Sequence, residues 1–317
     1  MVKKLKGFKR KTVRQWLSDY GVLYLMLLPM VVYFLIFNYY PMLGLQIAFK
    51  DWNMRLGLWG SPWATDAEGN LALFKHFQAL FSDPNVMGKF WNTLRISSLK
   101  LLFGFPVPIL MAILLNEMTS SKVRKVIQTI SYLPYFISWV IIAGIIFSIT
   151  RTGSPLQNMF VAMTGKIVPF FGDANLFLVV VIVSDIWKNA GWGTVIYFAA
   201  LTAIDMNLYE AAMVDGANRW QRTLHITFPG ILPALSINLI FTVSGLVYGG
   251  FDQIYNLYNP LVYSTGDILE TYIFRIGITD GLYDIAAAMG LFNSAIALVF
   301  TLGANYTVKA VGGDGIW

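Results

Sequence analysis

Polar and aromatic residues interrupt a long apolar stretch at Asp185, Trp187, Lys188, Asn189 and Trp192. Charged and amide groups hydrogen-bond hydroxyls, and indole rings pack against the C–H faces of sugar rings. An ionisable side chain within an apolar span is expected to have a function. The cluster therefore predicts part of the polar lining of a substrate path. The alternative is a structural ion pair, because Asp185 and Lys188 are three residues apart and share a helix face.

A second mixed group lies at the end of a later apolar stretch, where tyrosines alternate with acidic and amide side chains. Its members that could contact a substrate are Tyr248, Asp252, Gln253 and Asn256. A few polar groups that converge on a pocket fix the orientation of a ligand, so this group is a second candidate for the path. The alternative is an aromatic belt at a membrane surface, where tyrosine is enriched.

The sequence lacks the residue patterns of common catalytic sites. It contains no cysteine and two histidines, His76 and His225, which are far apart in the chain. Gly165 and Lys166 lack the upstream glycine of a phosphate-binding loop. There is neither a G-x-S-x-G elbow nor an H-E-x-x-H zinc motif. We therefore expect no catalytic residue and no metal site in this chain.

The composition indicates a membrane protein, because 56% of the 317 residues are hydrophobic and 13% are charged, whereas soluble domains carry about 25% charged residues. Apolar segments of about 20 residues cross a bilayer as helices. Six segments meet this criterion, which predicts an all-α membrane protein with six transmembrane helices at 21–45, 94–116, 127–149, 176–203, 229–251 and 284–308.

Lysine and arginine set the orientation of such a protein, because loops rich in them stay in the cytoplasm. Most basic residues fall on the side that holds the N-terminus, which places both termini in the cytoplasm. The net charge of +6 follows this topology, so we do not expect nucleic acid as a partner. The predicted organisation is a basic cytoplasmic segment at 1–20, a six-helix membrane domain at 21–308 and a cytoplasmic tail at 309–317.

Two loops of the membrane domain are long enough to have a function of their own. The outer loop at 50–91 is long for a connection, and its residues alone predict a self-packed cap over the membrane mouth. We expect His76, within this loop, to be a surface residue rather than a metal ligand. The other loop, at 204–228, is cytoplasmic.

The cytoplasmic loop predicts two short helices joined by a sharp turn. Asn207 and Glu210 have the spacing of a capping box at the start of the first helix. Gly216 suits a left-handed cap at its end. Asn218 and Gln221 have the spacing of a second capping box. The second helix then leads into the fifth span, so a rigid elbow of this kind could transmit the movement of a soluble partner into the membrane.

The same loop resembles the signature segment of permease subunits of bacterial ABC importers. That pattern is Glu-Ala-Ala, three residues, Gly, nine residues, Ile, one residue, Leu, Pro. It is filled here by Glu210, Ala211, Ala212, Gly216, Ile226, Phe228 and Pro229, with Phe in place of the usual Leu. The resemblance implies a type I ABC importer permease fold, in which this loop, including Asp215, docks on an ATPase subunit. It also implies that ATP and Mg²⁺ bind partner subunits, so that this chain needs no cofactor.

Further segments resemble the polysaccharide-type permeases of that family, namely 38–42, 48–53, 115–117, 130–139, 185–193 and 250–260. This resemblance implies transport of an oligosaccharide, and acidic ones such as alginate or aldouronate are among the substrates of the group. The implied partners are a second permease, two ATPase subunits and an extracytoplasmic solute-binding protein, assembled in the bacterial inner (cytoplasmic) membrane. We expect a heterodimer of permeases, although the sequence does not exclude a homodimer.

Two alternatives from other classes stay open. A membrane enzyme would use Asp252, Asp267 and Glu270, an acidic group near a membrane surface, and would act with no ATPase present. A secondary transporter driven by an ion gradient would leave the cytoplasmic loop without a role, and its transport would be indifferent to loss of an ATPase.

Overall fold

The computed structural model describes residues 13–313, 315 and 316. Residues 1–12 of the basic segment predicted at 1–20 lie outside the described residues. Within these residues, five helices are long and apolar enough to cross a membrane, and a bent pair can supply a sixth crossing. They are numbered here as spans 1 to 6: Asp19–Phe49, Pro84–Asn116, Ser121–Phe136 with Trp139–Thr150, Ala174–Thr202, Arg219–Val247 and Tyr283–Ala310.

Shorter helices connect the spans. They are Gly57–Gly60 and Lys75–Ser82 after span 1, Pro155–Thr164 after span 3, Met206–Val214 after span 4, and Phe251–Leu257, Tyr263–Gly266 and Leu269–Phe274 after span 5. Extended pairing within the described ranges is confined to two isolated bridges, Lys50–Trp63 and Thr65–Leu71. The predicted all-helical class is confirmed.

Span 3, predicted at 127–149, is sharply bent, because its two halves meet at an angle of 101°. The first half ends in a 3₁₀ turn, Leu133–Phe136, that contains Pro134. Ser138 then adopts an extended backbone and caps the second half. Proline disfavours continuation of an α-helix, and a bend of this size leaves carbonyl groups without helical partners.

Spans 2 and 5 also differ from their predicted bounds. Span 2 begins at Pro84 rather than at residue 94, because the Asp83 side chain accepts a hydrogen bond from the first turn. Span 5 begins at Arg219 rather than at residue 229. A π-helical turn at Thr223–Thr227 precedes the proline-containing start of the α-helix and accommodates the missing N–H. The second helix of the cytoplasmic loop and span 5 thus form one continuous helical rod from Arg219 to Val247.

Span 4 lies at the centre of the bundle and packs closely on its neighbours. A Cβ atom added at Gly191 would lie 1.9 Å from the carbonyl oxygen of Ser131 in span 3. A Cβ atom at Gly193 would lie 3.0 Å from Pro108 in span 2. Small residues permit such close backbone approach between membrane helices. Span 1 differs from span 4, because no residue in its most apolar 18-residue stretch is buried against the rest of the chain.

Candidate functional site

A cavity of about 790 Å³ lies between spans 2, 4 and 5. Spans 2 and 4 run in the same direction and bring their polar residues to one level of this cavity. The polar and aromatic residues that line it include Ser97, Lys100, Asp185, Asn189, Trp192, Asn238, Thr242 and Tyr248. The cavity therefore combines amide, hydroxyl and charged groups with aromatic rings.

Lys100 is the cation of this cavity, and the sequence analysis assigned it no role. Its Nζ donates to the Gln253 side-chain oxygen at 2.6 Å and to the Gly249 carbonyl at 3.0 Å. The same Nζ lies 3.5 Å from Asp185 Oδ1, and both side chains are mostly buried. Asp185 also accepts a hydrogen bond from Asn189 at 3.2 Å. The sequence signal was present, because a lysine in an apolar span needs a partner.

Gln253 holds this end of the cavity together rather than lining it. Its Nε2 donates to the Val181 carbonyl at 2.7 Å and to Ser184 Oγ at 2.9 Å, both in span 4. Ser97 of span 2 adds a bond to the Tyr248 carbonyl at 3.2 Å. The turn that follows span 5 is therefore tied to both other walls of the cavity.

Lys188 has a structural role in span 3. Its Nζ donates to the carbonyls of Tyr135 at 2.8 Å and Ile137 at 2.5 Å, with Pro134 farther away at 3.4 Å. The carbonyls of Tyr135 and Ile137 lie at the bend, whereas the Pro134 carbonyl also accepts from the Ile137 N–H at 3.1 Å. The predicted alternative in which Lys188 pairs with Asp185 is wrong, because Lys100 is the partner of Asp185.

The cavity gathers only some of the residues predicted for the path. Asp185, Asn189, Trp192 and Tyr248 line it. Trp187 instead lines a separate apolar cavity of about 390 Å³. The residues predicted for the path that do not line the main cavity are Trp187, Lys188, Asp252, Gln253 and Asn256. Asn256 bonds to the carbonyl of Asp252 within its own short helix.

The cytoplasmic elbow, residues 204–228, has the predicted helix–turn–helix form with one correction. The first helix is capped by Asp205, whose side chain accepts from the Asn207 N–H at 2.9 Å. The predicted cap at Asn207 is therefore wrong, since Asn207 already lies inside the helix. Either residue type can cap a helix, and the two lie close in sequence.

The turn and the second helix of the elbow confirm the predicted local structure. Gly216 has a φ of +78°, in the left-handed region. Asn218 and Gln221 form a reciprocal capping box, with bonds of 2.9 and 2.8 Å. The Tyr209 hydroxyl lies 3.0 Å from Thr227 Oγ1 and ties the first helix to the rod of span 5. Hydrogen bonds thus stabilise the elbow just after its turn and between its first helix and span 5.

The residues of the signature pattern lie on and around this elbow. Glu210, Ala211 and Asp215 are exposed, as a docking surface requires. A cavity of about 320 Å³ lies between the two helices of the elbow. It is lined by Ala212, Asp215, Gly216, Ala217, Gln221, Arg222, His225 and Ile226. Pro229 lies in the first turn of the α-helix that continues span 5.

Comparison with known proteins identifies the family. The family described as "Binding-protein-dependent transport system inner membrane component" matches residues 104–312. This chain belongs to that family. The match covers the cavity walls of spans 4 and 5 and the whole elbow, whereas Ser97 and Lys100 of the span 2 wall precede it.

Individual relatives extend the likeness over nearly the full length of the permease. It is 39% identical to Protein LplB of Bacillus subtilis (strain 168), over 93% of this chain and 91% of that protein. It is 38% identical to the polygalacturonan/rhamnogalacturonan transport system permease protein YteP of the same strain, over 98% of this chain and 94% of that protein.

A solved structure agrees with the fold. A chain of a bacterial alginate ABC transporter, crystallised in complex with an alginate pentasaccharide-bound periplasmic protein, superposes with a TM-score of 0.86. The two chains are 39% identical, and the match covers 96% of this permease and 100% of that chain. The type I importer permease fold expected from the sequence is confirmed.

The outer loop of the permease is anchored by a buried histidine. His76 is 5% exposed, so its predicted position at the surface is wrong. Its Nε2 lies 3.1 Å from the Lys50 carbonyl, 3.6 Å from Asp51 Oδ1 and 3.8 Å from Asp284 Oδ2. These contacts join the outer loop to the start of span 6.

Asp51 in this anchor is held in its charged form. Partial burial alone would raise the pKa of Asp51. The Lys75 ammonium at 2.8 Å and the Thr65 N–H at 3.1 Å outweigh burial and lower this pKa below its ordinary value of 3.8. The outer loop therefore carries an ion pair that stays charged near neutral pH.

Proposed function

We propose that this permease and a second, related permease enclose the path by which an ABC importer carries an oligosaccharide across the bacterial cytoplasmic membrane. One observation carries the proposal: span 5 forms a wall of the polar cavity and also begins in the cytoplasmic elbow. A displacement of the elbow is therefore a displacement of a cavity wall. The likeness to transport permeases over nearly the whole chain supports this assignment.

We propose an oligosaccharide that contains acidic sugars, such as an alginate or aldouronate fragment, as the substrate. Support comes from two relatives, one named for polygalacturonan and rhamnogalacturonan transport and one crystallised with an alginate pentasaccharide-bound periplasmic protein. The cavity lining agrees in chemistry, because hydroxyls meet Asn189, Asn238 and Asp185 while ring faces meet Trp192 and Tyr248.

The energy for transport is supplied outside this chain in our proposal. Two ATPase subunits bind ATP and Mg²⁺, and the permease is not an enzyme. The exposed elbow docks on one ATPase through Glu210, Ala211, Ala212, Asp215 and Gly216. The continuous helix from Arg219 to Val247 then carries the motion into the membrane. Transport follows because the substrate binds differently in the two states of the path.

The surfaces of the permease match the proposed neighbours. Span 1 exposes apolar residues along its length, which the second permease and the lipid bilayer cover. The folded outer loop offers a surface to an extracytoplasmic solute-binding protein. The membrane-enzyme alternative loses support, because Asp267 is fully buried and paired with Arg275 and Lys89.

The coupling role is tested with Gly216→Pro in the reconstituted four-subunit complex. Proline fixes φ near about −65° and removes the N–H that Gly216 donates to Met213 at 3.1 Å. We expect the ATPase to lose its response to substrate-loaded binding protein, and the complex to assemble poorly or turn over without transport.

Gly165→Pro is the matched control for this test. Gly165 also ends a helix with a positive φ of 70° and donates its N–H to the helix, but it lies between spans 3 and 4, outside the elbow. The control should keep the response to loaded binding protein. A normal response in Gly216→Pro would remove the main physical support for the importer assignment.

The substrate class is tested by uptake into proteoliposomes. We expect uptake of uronate oligosaccharides that depends on ATP and on the binding protein. Uptake driven by an ion gradient without the ATPase would favour the secondary-transporter alternative. Uptake limited to neutral oligosaccharides would contradict the acidic substrate and leave the importer assignment intact.

A further inference from the structure

We propose that Lys100 and Asp185 form a subsite for a sugar hydroxyl, which accepts a hydrogen bond from Lys100 Nζ and donates one to Asp185. The inference rests on the proposed function, because it requires that an oligosaccharide passes through this cavity. Its consequence is that this wall of the path binds sugar rings whether or not they carry a carboxylate.

The ammonium group of Lys100 is fixed in position with one N–H only loosely used. Two of its contacts are short, 2.6 Å to Gln253 and 3.0 Å to the Gly249 carbonyl. The third, to Asp185, is 3.5 Å, whereas a good charge-assisted bond measures about 2.7–2.9 Å. Two short hydrogen bonds, to Gln253 and Gly249, thus position Lys100 Nζ, whereas its contact with Asp185 is weak.

The carboxylate of Asp185 retains acceptor capacity on the same side. It accepts from Asn189 at 3.2 Å, while an ionised carboxylate offers about four lone-pair sites. Both Lys100 and Asp185 line the cavity. A hydroxyl that enters the cavity at this level therefore meets the Lys100 ammonium and the Asp185 carboxylate, which lie close together but are not tightly bonded to each other.

A hydroxyl suits this pair better than a carboxylate does. A hydroxyl is both donor and acceptor, so between Lys100 and Asp185 it satisfies both charges at once. A carboxylate brought to Lys100 would lie beside Asp185, and two anions a few ångströms apart repel each other. The net charge of the pair is zero, so it provides no excess positive charge for an acidic group.

Aromatic rings beside the pair can receive the face of the same sugar. Trp192 and Tyr248 line the cavity and are both exposed within the single chain, at 43% and 44%. Trp192 stacks on Tyr135 with ring centroids 4.9 Å apart and planes inclined by 10°. The indole is therefore held in a fixed plane, which lowers the entropy cost of stacking a pyranose against it. Selection for acidic sugars must then be made elsewhere, in the binding protein or the second permease.

The test uses the complete complex in proteoliposomes with two probes, a galacturonate trisaccharide and its methyl ester, which share their ring hydroxyls and differ in charge. Uptake by each variant is divided by wild-type uptake of the same probe, so the preference of the binding protein cancels. We expect Lys100→Gln and Asp185→Asn each to lower uptake of both probes by a similar factor, roughly 10- to 100-fold, as for a bond to a charged group.

Thr93→Val separates recognition from loosening of the fold. Thr93 does not line the cavity. The change removes the bond in which the Leu269 N–H donates to Thr93 Oγ1 of span 2 at 2.8 Å, and it leaves the charge pair unchanged. We expect near wild-type uptake from it, and normal stimulation of the ATPase by loaded binding protein in all three variants. An equal loss in Thr93→Val would overturn the subsite, because the losses would then reflect loosened packing.

Two further results would overturn the inference. The first is a loss in Lys100→Gln confined to the charged probe together with a gain in Asp185→Asn, which would make Lys100 a carboxylate site. The second is unchanged uptake in both variants, which would make the pair purely structural. Wild-type uptake of the charged probe is measured first and checks the proposed function separately from the subsite.

Discussion

The cytoplasmic elbow and the polar network of the bundle are both built from hydrogen bonds, but the bonds differ in reach and surroundings. The elbow is closed by neighbours in sequence, such as Asn218 with Gln221, and it is largely exposed. The bundle network joins distant segments, as when Lys188 reaches the carbonyls of Tyr135 and Ile137. Its members are mostly buried among apolar helices.

This difference assigns separate tasks to the two regions. Local bonds keep the shape of the elbow when the elbow as a whole moves, which a part that transmits force requires. Long-range bonds keep the cavity walls in register, because each one fixes the distance between two helices. Bonds exposed to water have smaller net energies than bonds whose loss leaves a buried group unpaired. Substitutions in the bundle should therefore affect stability more than substitutions in the elbow.

The largest expected effect follows from removal of the Lys188 ammonium. Lys188→Met should destabilise the folded permease by about 3 kcal/mol or more, because each buried carbonyl left unpaired costs about 1–3 kcal/mol. The measurement is the melting temperature and yield of the permease in detergent. Lys125→Met is the control, since Lys125 is exposed in the first half of span 3. An unchanged melting temperature for Lys188→Met would show that the bend of span 3 is stable without the lysine.

The next effect tests the close approach of spans 3 and 4. Gly191→Ala places a methyl group on the Ser131 carbonyl, and we expect a loss of about 1–3 kcal/mol from overpacking. Gly144→Ala is the matched control. Gly144 also lies in a membrane helix, but beyond that helix's own backbone a Cβ atom added there has no neighbour within 4 Å. The control should be neutral or slightly stabilising, as alanine favours helix more than glycine does. Equal melting temperatures for the two variants would contradict the packing described here.

A smaller effect separates the two possible caps of the elbow. Asp205→Ala should cost about 1 kcal/mol of local stability, whereas Asn207→Ala should change it by less than about 0.5 kcal/mol. Hydrogen exchange of the Met206–Val214 amides measures both. Faster exchange in Asp205→Ala alone identifies Asp205 as the cap. The reverse pattern would restore the cap inferred from the sequence.

The elbow was predictable from sequence because its interactions are local. A capping box couples residues three apart, and a left-handed turn selects glycine, so the pattern of residue types contains the geometry. The error at Asn207 arose because Asp205 is an equally good cap two residues earlier. Spans 4 and 6 were also predicted closely, since length and hydropathy suffice for an uninterrupted apolar helix.

The polar network could not be predicted in the same way. A lysine in a membrane span needs hydrogen-bond acceptors, but these lie in other helices, and the sequence does not fix how those helices are rotated. Lys188 was therefore assigned to its nearest acid on the same helix, and Lys100 received no partner. Hydropathy runs unbroken through Pro134 and Ser138, so it does not reveal how sharply span 3 bends there.

The smallest predicted effect lies in the outer loop and depends on pH. The folded pKa of Asp51 is below its ordinary value of 3.8, so its stabilising contribution is complete above that value and is lost as pH falls through the folded pKa. The pair with Lys75 is partly exposed, which limits its contribution to about 0.2–1 kcal/mol. Hydrogen exchange at Thr65, compared between wild type and Asp51→Asn, should differ at pH 7 and converge in acid below the folded pKa. A difference that persisted in acid would place the stabilisation in packing of the loop rather than in the charge of Asp51.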